Sequence, residues 1–270
     1  MYAHAQLGSS MLRDCPRGQQ RIVSAASAEA WLLAGRIAAF DLEQRVPAQD
    51  AFNHALECAG AAKEHQLAAA VLAYLALLDG SRDYSKGSET IRMARAFARR
   101  GEGCLLLNLW LDAVDAEILT RRDDIQGALQ LIASAEANYR EDLPRPAWLD
   151  WFTQSRLPVL RASALLTGGR SGQARVVLER ALHDLPLQEV RQRATILADL
   201  AAISIAERDP ATACKLLGSA LQELKADSNP NSVRRIRAVR AELTEWETMK
   251  AVRALDDRLY DWATTLGAVS

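Results

Sequence analysis

Residues 191–224 read RQRATILADLAAISIAERDPATACKLLGSALQEL. Leu197, Leu200 and Ala201 set an apolar stripe at helical spacing, and Asp209-Pro210 breaks the helix. A second helix follows in which Ala213, Leu217 and Ala220 stand as small–x3–large–x2–small. Small side chains let two helices approach closely, and the large one fills the groove between them. The stretch therefore reads as a helical hairpin of the tetratricopeptide (TPR) kind.

The same triplet recurs upstream. It is Ala48–Phe52–Ala55, Gly87–Ile91–Ala94, Ala128–Ile132–Ala135 and Ala174–Leu178–Ala181. Its first positions step by 39, 41, 46 and 39 residues, against 34 in a strict TPR array, so helices or loops are longer here. A partner helix precedes each match, as Trp31, Leu32 and Gly35 precede the first.

Strand alternation is almost absent, and Ala, Leu, Arg and Glu, the better helix formers, dominate. Breaks fall at Pro16-Arg17-Gly18, Val46-Pro47, Asp79-Gly80, 101–103, 121–124, 143–146, Gly168-Gly169, Leu185-Pro186, Asp209-Pro210 and Ser228 to Asn231, leaving about twelve helices. Pro158 should kink a helix over Leu149–Leu166 or mark a second start, because proline lacks an N–H and clashes with the preceding turn. The expected fold is all-α: a right-handed superhelical solenoid of about five degenerate TPR-like helical hairpins with a C-terminal capping helix pair. One such domain is expected over 1–270, with an N-terminal helix or extension at 1–17, hairpins over 18–225 and capping helices over 226–270.

Composition narrows the function. The chain has 270 residues, 49% hydrophobic and 25% charged, with net charge −1. No global field draws it to nucleic acid or an anionic membrane. Five lysines stand among 33 basic residues, so positive charge is mostly arginine. Cys15, Cys58, Cys104 and Cys214 form no C-x-x-C pair and read as reduced thiols. No apolar signal region opens the chain and no window approaches 18 uninterrupted apolar residues. A cytoplasmic protein with no membrane partner is expected.

Three stretches carry a resemblance. AGRIAAFDLEQ (34–44), the quoted 191–224, and VRRIRAVRAELTEW with AVRALDDRL (233–259) resemble the C-terminal TPR region of actinobacterial-type regulators of the XRE class. In that family an N-terminal helix-turn-helix binds DNA and the array follows. This chain begins at Met1 where the family's linker would end. The resemblance therefore implies the sensing or partner-binding half, without direct nucleic-acid binding.

Chemical motifs are sparse. His4, His54, His65 and His183 stand at no ligand spacing, so no metal is expected. G-x-x-x-x-G-K-[ST], G-x-G-x-x-G and G-x-S-x-G do not occur, and no cofactor is expected. Asp112, Asp115 and Glu117 share one helix. They read as a solvated face or as ion pairs, with Asp115 and Glu117 as acid–base candidates in an alternative enzymatic reading. Arg234, Arg235, Arg237 and Arg240 read as the wet face of a cap.

Aligning the hairpins on their triplets turns certain residues toward a concave groove. They are Arg36, Tyr74, Trp110, Glu117 and Arg156, with Trp148 or Trp151 nearby. Guanidinium groups recognise carboxylate, and the rings supply rigid contact area. The leading expectation is a non-enzymatic module that holds a peptide, partner protein or small-molecule signal in a regulatory role. An enzyme or accessory protein acting on a small molecule in specialised metabolism is the alternative. A homodimer formed through Tyr260, Trp262 and Leu266 is a third.

Overall fold

The computed structural model of the chain describes residues 2–224 and 230–267. Every regular element among them is helical. The first seven α-helices are α1 (Tyr2–Asp14), α2 (Gln20–Arg36), α3 (Arg45–Ala62), α4 (His65–Gly80), α5 (Tyr84–Ala98), α6 (Leu105–Arg121) and α7 (Ile125–Asn138). Then come α8 (Arg156–Thr167), α9 (Ser171–Asp184), α10 (Val190–Ala206), α11 (Pro210–Glu223), α12 (Pro230–Ala241) and α13 (Lys250–Gly267). A π turn at Ile37–Asp41 prolongs α2, and short 3-10 turns occupy Ala147–Leu149 and Thr244–Trp246. The chain is all-α, as its periodicity requires. The break expected at Ser228 to Asn231 falls partly outside the described residues, and so does the side chain of Leu266.

Local chemistry sets the helix ends. Asp83 accepts the N–H groups of Ser85 and Lys86 at 2.9 and 3.2 Å at the start of α5. Asp124 accepts that of Gly127 and Asp209 that of Thr212, both at 3.0 Å. Each satisfies an amide that the first helical turn leaves unpaired. Three connections end alike. Lys63, Asp123 and Arg208 take φ values of 58°, 64° and 60°. The next N–H, from Glu64, Asp124 and Asp209, donates to the carbonyl five residues back at 3.0, 3.0 and 2.8 Å. This Schellman arrangement terminates one helix and aims the chain into the next. Pro158 is the third residue of α8 and marks a helix start rather than a kink. In the first turn its missing N–H has no intrahelical acceptor to lose.

The chain divides into two compact units, Met1–Gly168 and Gly169–Ser270. The boundary falls on the Gly168-Gly169 break, which lies inside the single domain expected from sequence. In the first unit α1 packs on α2, α2 on α3, α4 on α5 and α6 on α7. Leu67 to Ala76 of α4 are buried without interruption, because α3, α5 and α6 all pack on this helix. In the second unit α10 packs on α9, α11 and α12, and α13 on α11, around Leu197, Ala201, Leu217, Ile236 and Val252.

All five triplets lie on helices, on α3, α5, α7, α9 and α11, and all fifteen residues are buried. The stretch 20–41 is long and apolar enough to cross a bilayer by length and composition alone. Its apolar side, including Ala28, Trp31, Leu32 and Gly35, is instead buried in the core of the first unit, where α2 meets α1 and α3.

Candidate functional site

The first unit gathers six aromatic rings and two guanidinium groups in one place. Tyr74, on the buried α4, is the hub. Phe52 stacks on it with centroids 5.4 Å apart and planes 9° apart. Trp110 of α6 tilts against it at 4.8 Å, Phe40 of the π turn at 5.9 Å and Trp151 at 6.3 Å. Trp110 and Trp151 meet edge to face at 5.8 Å, and Phe152 adds a ring 6.1 Å from Trp151.

The charged groups approach from two elements. Arg36 closes α2 with its Cζ 5.8 Å from the Tyr74 ring centre and 4.9 Å from that of Trp151. Arg156 opens α8 with its Cζ also 4.9 Å from Trp151, and its Nε donates to the Trp151 carbonyl at 3.2 Å. A cation–π contact at an exposed site contributes about 0.5–1 kcal/mol. A hydrogen bond to a charged group contributes about 1.5–3 kcal/mol. A good acceptor therefore outcompetes a ring for either guanidinium.

Local packing positions these groups. The Phe52 ring has room because residue 35 is glycine: a Cβ there would stand 2.5 Å from two Phe52 ring carbons. The π turn beyond Arg36 is closed by the Leu42 N–H donating to the Ile37 carbonyl at 3.0 Å, and it holds Phe40 against Tyr74. Trp151 sits in the connection before α8. That segment is pinned by the buried Leu149 and Phe152 and by Arg145, which donates to the Tyr139 hydroxyl at 2.6 Å and the Phe152 carbonyl at 3.3 Å.

Polarity at the hub is unbalanced. The Tyr74 hydroxyl and the Trp151 indole N–H are sealed from solvent, and neither completes a hydrogen bond within normal geometric limits. The two are close enough for the indole to favour the phenolate slightly. Burial nevertheless pushes the Tyr74 hydroxyl well above the ordinary phenol range, against the pull of Arg36 and Arg156. It stays a neutral donor at every physiological pH.

Five of the seven groove residues expected from sequence thus come together, Arg36, Tyr74, Trp110, Trp151 and Arg156, but Tyr74 and Trp110 are each 3% exposed and belong to the core rather than to an open face. Two do not join them. Trp148 is half-buried against the same core but makes no ring contact with the cluster among the described residues. Glu117 lies two turns along α6 from Trp110 and pairs with Arg121 at 2.5 Å. Asp115 also stands apart, because Arg95 of α5 clamps Asp112 at 2.7 Å and Asp115 at 3.0 Å. Phe52 and Phe40 are additions. Phe52 was visible as the large residue of the first triplet, whereas Phe40 depends on the π turn, which apolar spacing does not announce.

Elsewhere, an open trough of about 800 Å³ runs along α1, α2 and α3 beside Leu7, Ser9, Trp31, His54, Glu57 and Cys58. Trp31 donates to the Ser9 hydroxyl there at 2.8 Å, and His54 packs on Trp31 at 4.8 Å. In the second unit Arg240 binds Asp256 through two hydrogen bonds and Arg235 binds Asp199. Among the described residues no three or more His, Cys, Asp or Glu side chains converge as a metal site would need.

No protein-family model matches this sequence, and no curated protein matches it. Among solved structures it is similar to BtubC (BKLC) from P. vanneervenii, with a TM-score of 0.49 and 14% identity over 94% of this chain and 93% of that one.

Proposed function

We propose that this chain is a non-enzymatic binding module built of TPR-like hairpins, stacked as a short right-handed solenoid within each unit. The five buried triplets support the TPR-like reading. The ring and guanidinium cluster on the first unit serves as the floor on which a peptide, a partner protein or a small-molecule signal rests. The observation that carries this reading is the approach of Arg36 and Arg156 to one indole, Trp151, over the buried Tyr74. Aromatic anchors beside arginines are the groups that dominate binding energy at interfaces. The resemblance of 34–44, 191–224 and 233–259 to XRE-class regulators supports a regulatory role in the cytoplasm. The alternative, an accessory protein or enzyme acting on a small molecule, draws less support. Both of its carboxylate candidates, Asp115 and Glu117, are engaged in ion pairs. A homodimer through the C-terminal helix, where Tyr260 is 72% exposed, is a third reading.

Affinity selection of displayed peptides on the purified chain tests the reading. Enriched peptides should lose binding to Trp151→Ala and Arg36→Ala variants and keep it with Arg180→Ala, a site in the second unit whose side chain is 85% exposed. Selected peptides indifferent to Trp151 and Arg36 would refute the groove.

A further inference from the structure

The binding role leaves open which chemical group the floor grips. Two sealed polar atoms narrow it. Buried polar atoms are nearly always hydrogen-bonded, and an exception calls for an explanation. Tyr74 is only 3% exposed, and neither its hydroxyl nor the Trp151 N–H completes a hydrogen bond within normal geometric limits, although the indole lies close enough to act on the hydroxyl. The Arg36 guanidinium lies over both rings. Among the described residues no carboxylate lies within ion-pair distance of Arg36. An indole N–H and a guanidinium can only donate, and a neutral phenol donates readily. Three side chains from α2, α4 and the connection before α8 thus offer donors, and the one acceptor among them, the Tyr74 hydroxyl oxygen, faces the Trp151 N–H in an incomplete bond. The nearby carboxylate of Asp150 is on an exposed residue and acts on the Tyr74 hydroxyl less than either arginine does.

Resting on the binding reading above, we propose that Arg36, Tyr74 and Trp151 form a carboxylate-binding site. A ligand carboxylate sits on the Arg36 guanidinium and accepts the Trp151 N–H and the Tyr74 O–H. A planar carboxylate matches the forked Arg36 guanidinium flanked by the two neutral donors. The surrounding rings of Phe40, Phe52 and Trp110 suit a carboxylate carried on an apolar group. The two neutral donors are sealed in the unliganded chain, so Arg36 must swing off the rings to admit the ligand. It is half-buried and gives up only ring stacking.

Indole N–H resonances of the nitrogen-15-labelled chain test this, with Trp151 assigned from Trp151→Phe. The probes are phenylacetate, phenylacetamide, phenylphosphonate, and the tripeptide glycyl-glycyl-phenylalanine as free acid and as amide. The Trp151 signal should move downfield with the two carboxylic acids and stay put with both amides. The tighter of the two acids distinguishes a small molecule from a peptide C-terminus as the source. Arg36→Met and Tyr74→Phe should each weaken acid binding about tenfold, the loss of one charge-assisted hydrogen bond. Tyr74→Phe should leave the Tm of the unliganded chain unchanged or raised, since the hydroxyl it removes completes no hydrogen bond. A clear fall in Tm would place that hydroxyl in a bond within the protein and overturn the site. Tighter binding of phenylphosphonate would overturn the ligand class. If no probe moves the signal while selected peptides still need Trp151, the carboxylate site fails and the groove stands. If those peptides fail as well, both fall.

Discussion

Gly80 of α4 and Gly87 of α5 meet backbone to backbone: a Cβ on Gly87 would stand 2.6 Å from the Gly80 Cα and 2.9 Å from its nitrogen. This contact is the physical content of the small position that opens the second triplet. Alanine favours a helix over glycine by about 1 kcal/mol, yet here the obstruction is backbone and cannot rotate away. Overpacking of this kind costs about 1–3 kcal/mol. Gly87→Ala should therefore lower stability to chemical denaturation by a net of up to ~2 kcal/mol. Gly60→Ala, on an exposed stretch of α3 with nothing within 4 Å, should raise it by ~0.5–1 kcal/mol. Equal effects at the two sites would refute close helix approach as the reason for Gly87.

Asp123 holds a left-handed backbone at φ 64° between α6 and α7. An L residue there costs roughly 1–2 kcal/mol, partly offset by the greater freedom glycine has when unfolded. Asp123→Gly should gain ~0.5–1 kcal/mol and Asp123→Val should lose more than ~1 kcal/mol, because a β-branched side chain tolerates that conformation worst. Denaturation midpoints of the two variants check the ordering.

Arg95 joins α5 to α6 through Asp112 and Asp115, and all three side chains are between 20% and 27% exposed. Surface pairs are worth little, and breaking a buried pair costs about 3–5 kcal/mol. This half-buried clamp falls between, so Arg95→Met should cost ~2 kcal/mol by leaving two carboxylates facing an empty place. Adding Asp112→Asn and Asp115→Asn should recover much of the loss. A triple variant no more stable than the single one would show that the arginine acts through its packing and not its charge.

Two aspartates of the second unit respond to acid in opposite senses. Arg240 donates to the Asp256 carboxylate at 2.5 and 2.6 Å and holds its pKa below the usual 3.8. That stabilisation is present above 3.8 and is lost as pH falls through the lower, folded value. Asp199 is raised instead, because burial outweighs the bonds from Arg235 at 3.0 and 2.7 Å. Its favourable contribution is complete below 3.8 and is lost as pH rises through its raised, folded value. Denaturation midpoints from about pH 3 to neutrality should therefore show Asp256→Asn flattening the acid limb. The gap between wild type and Asp199→Asn should shift in favour of the variant as pH climbs. Parallel profiles for the two variants would contradict both assignments.

Much of this was legible because helical packing is periodic. Ala213, Leu217 and Ala220 stand on one face whatever surrounds them, and the same holds for Gly87, Ile91 and Ala94. Aligning those faces also pointed Tyr74, Trp110 and Arg36 in a common direction. The alignment went astray for Glu117 and Trp148. Glu117 is two helical turns beyond Trp110, and a side chain's neighbours change completely over that distance. Trp148 lies with Trp151 in the irregular connection between α7 and α8, where no period tells which of the two tryptophans turns inward. Phe40 was missed because a π turn rotates the chain out of the 3.6-residue register.

The order of small and large residues by itself determined that this chain is helical, where its helices pair and which face of each is buried, because those properties depend on near neighbours along the chain. Only the tertiary structure decided that Arg36 and Arg156 share one indole, that the Tyr74 hydroxyl completes no hydrogen bond within normal geometric limits, and that Asp115 belongs to Arg95. Those facts depend on distances between helices far apart in sequence, and such distances follow from how whole side chains fill the space between backbones.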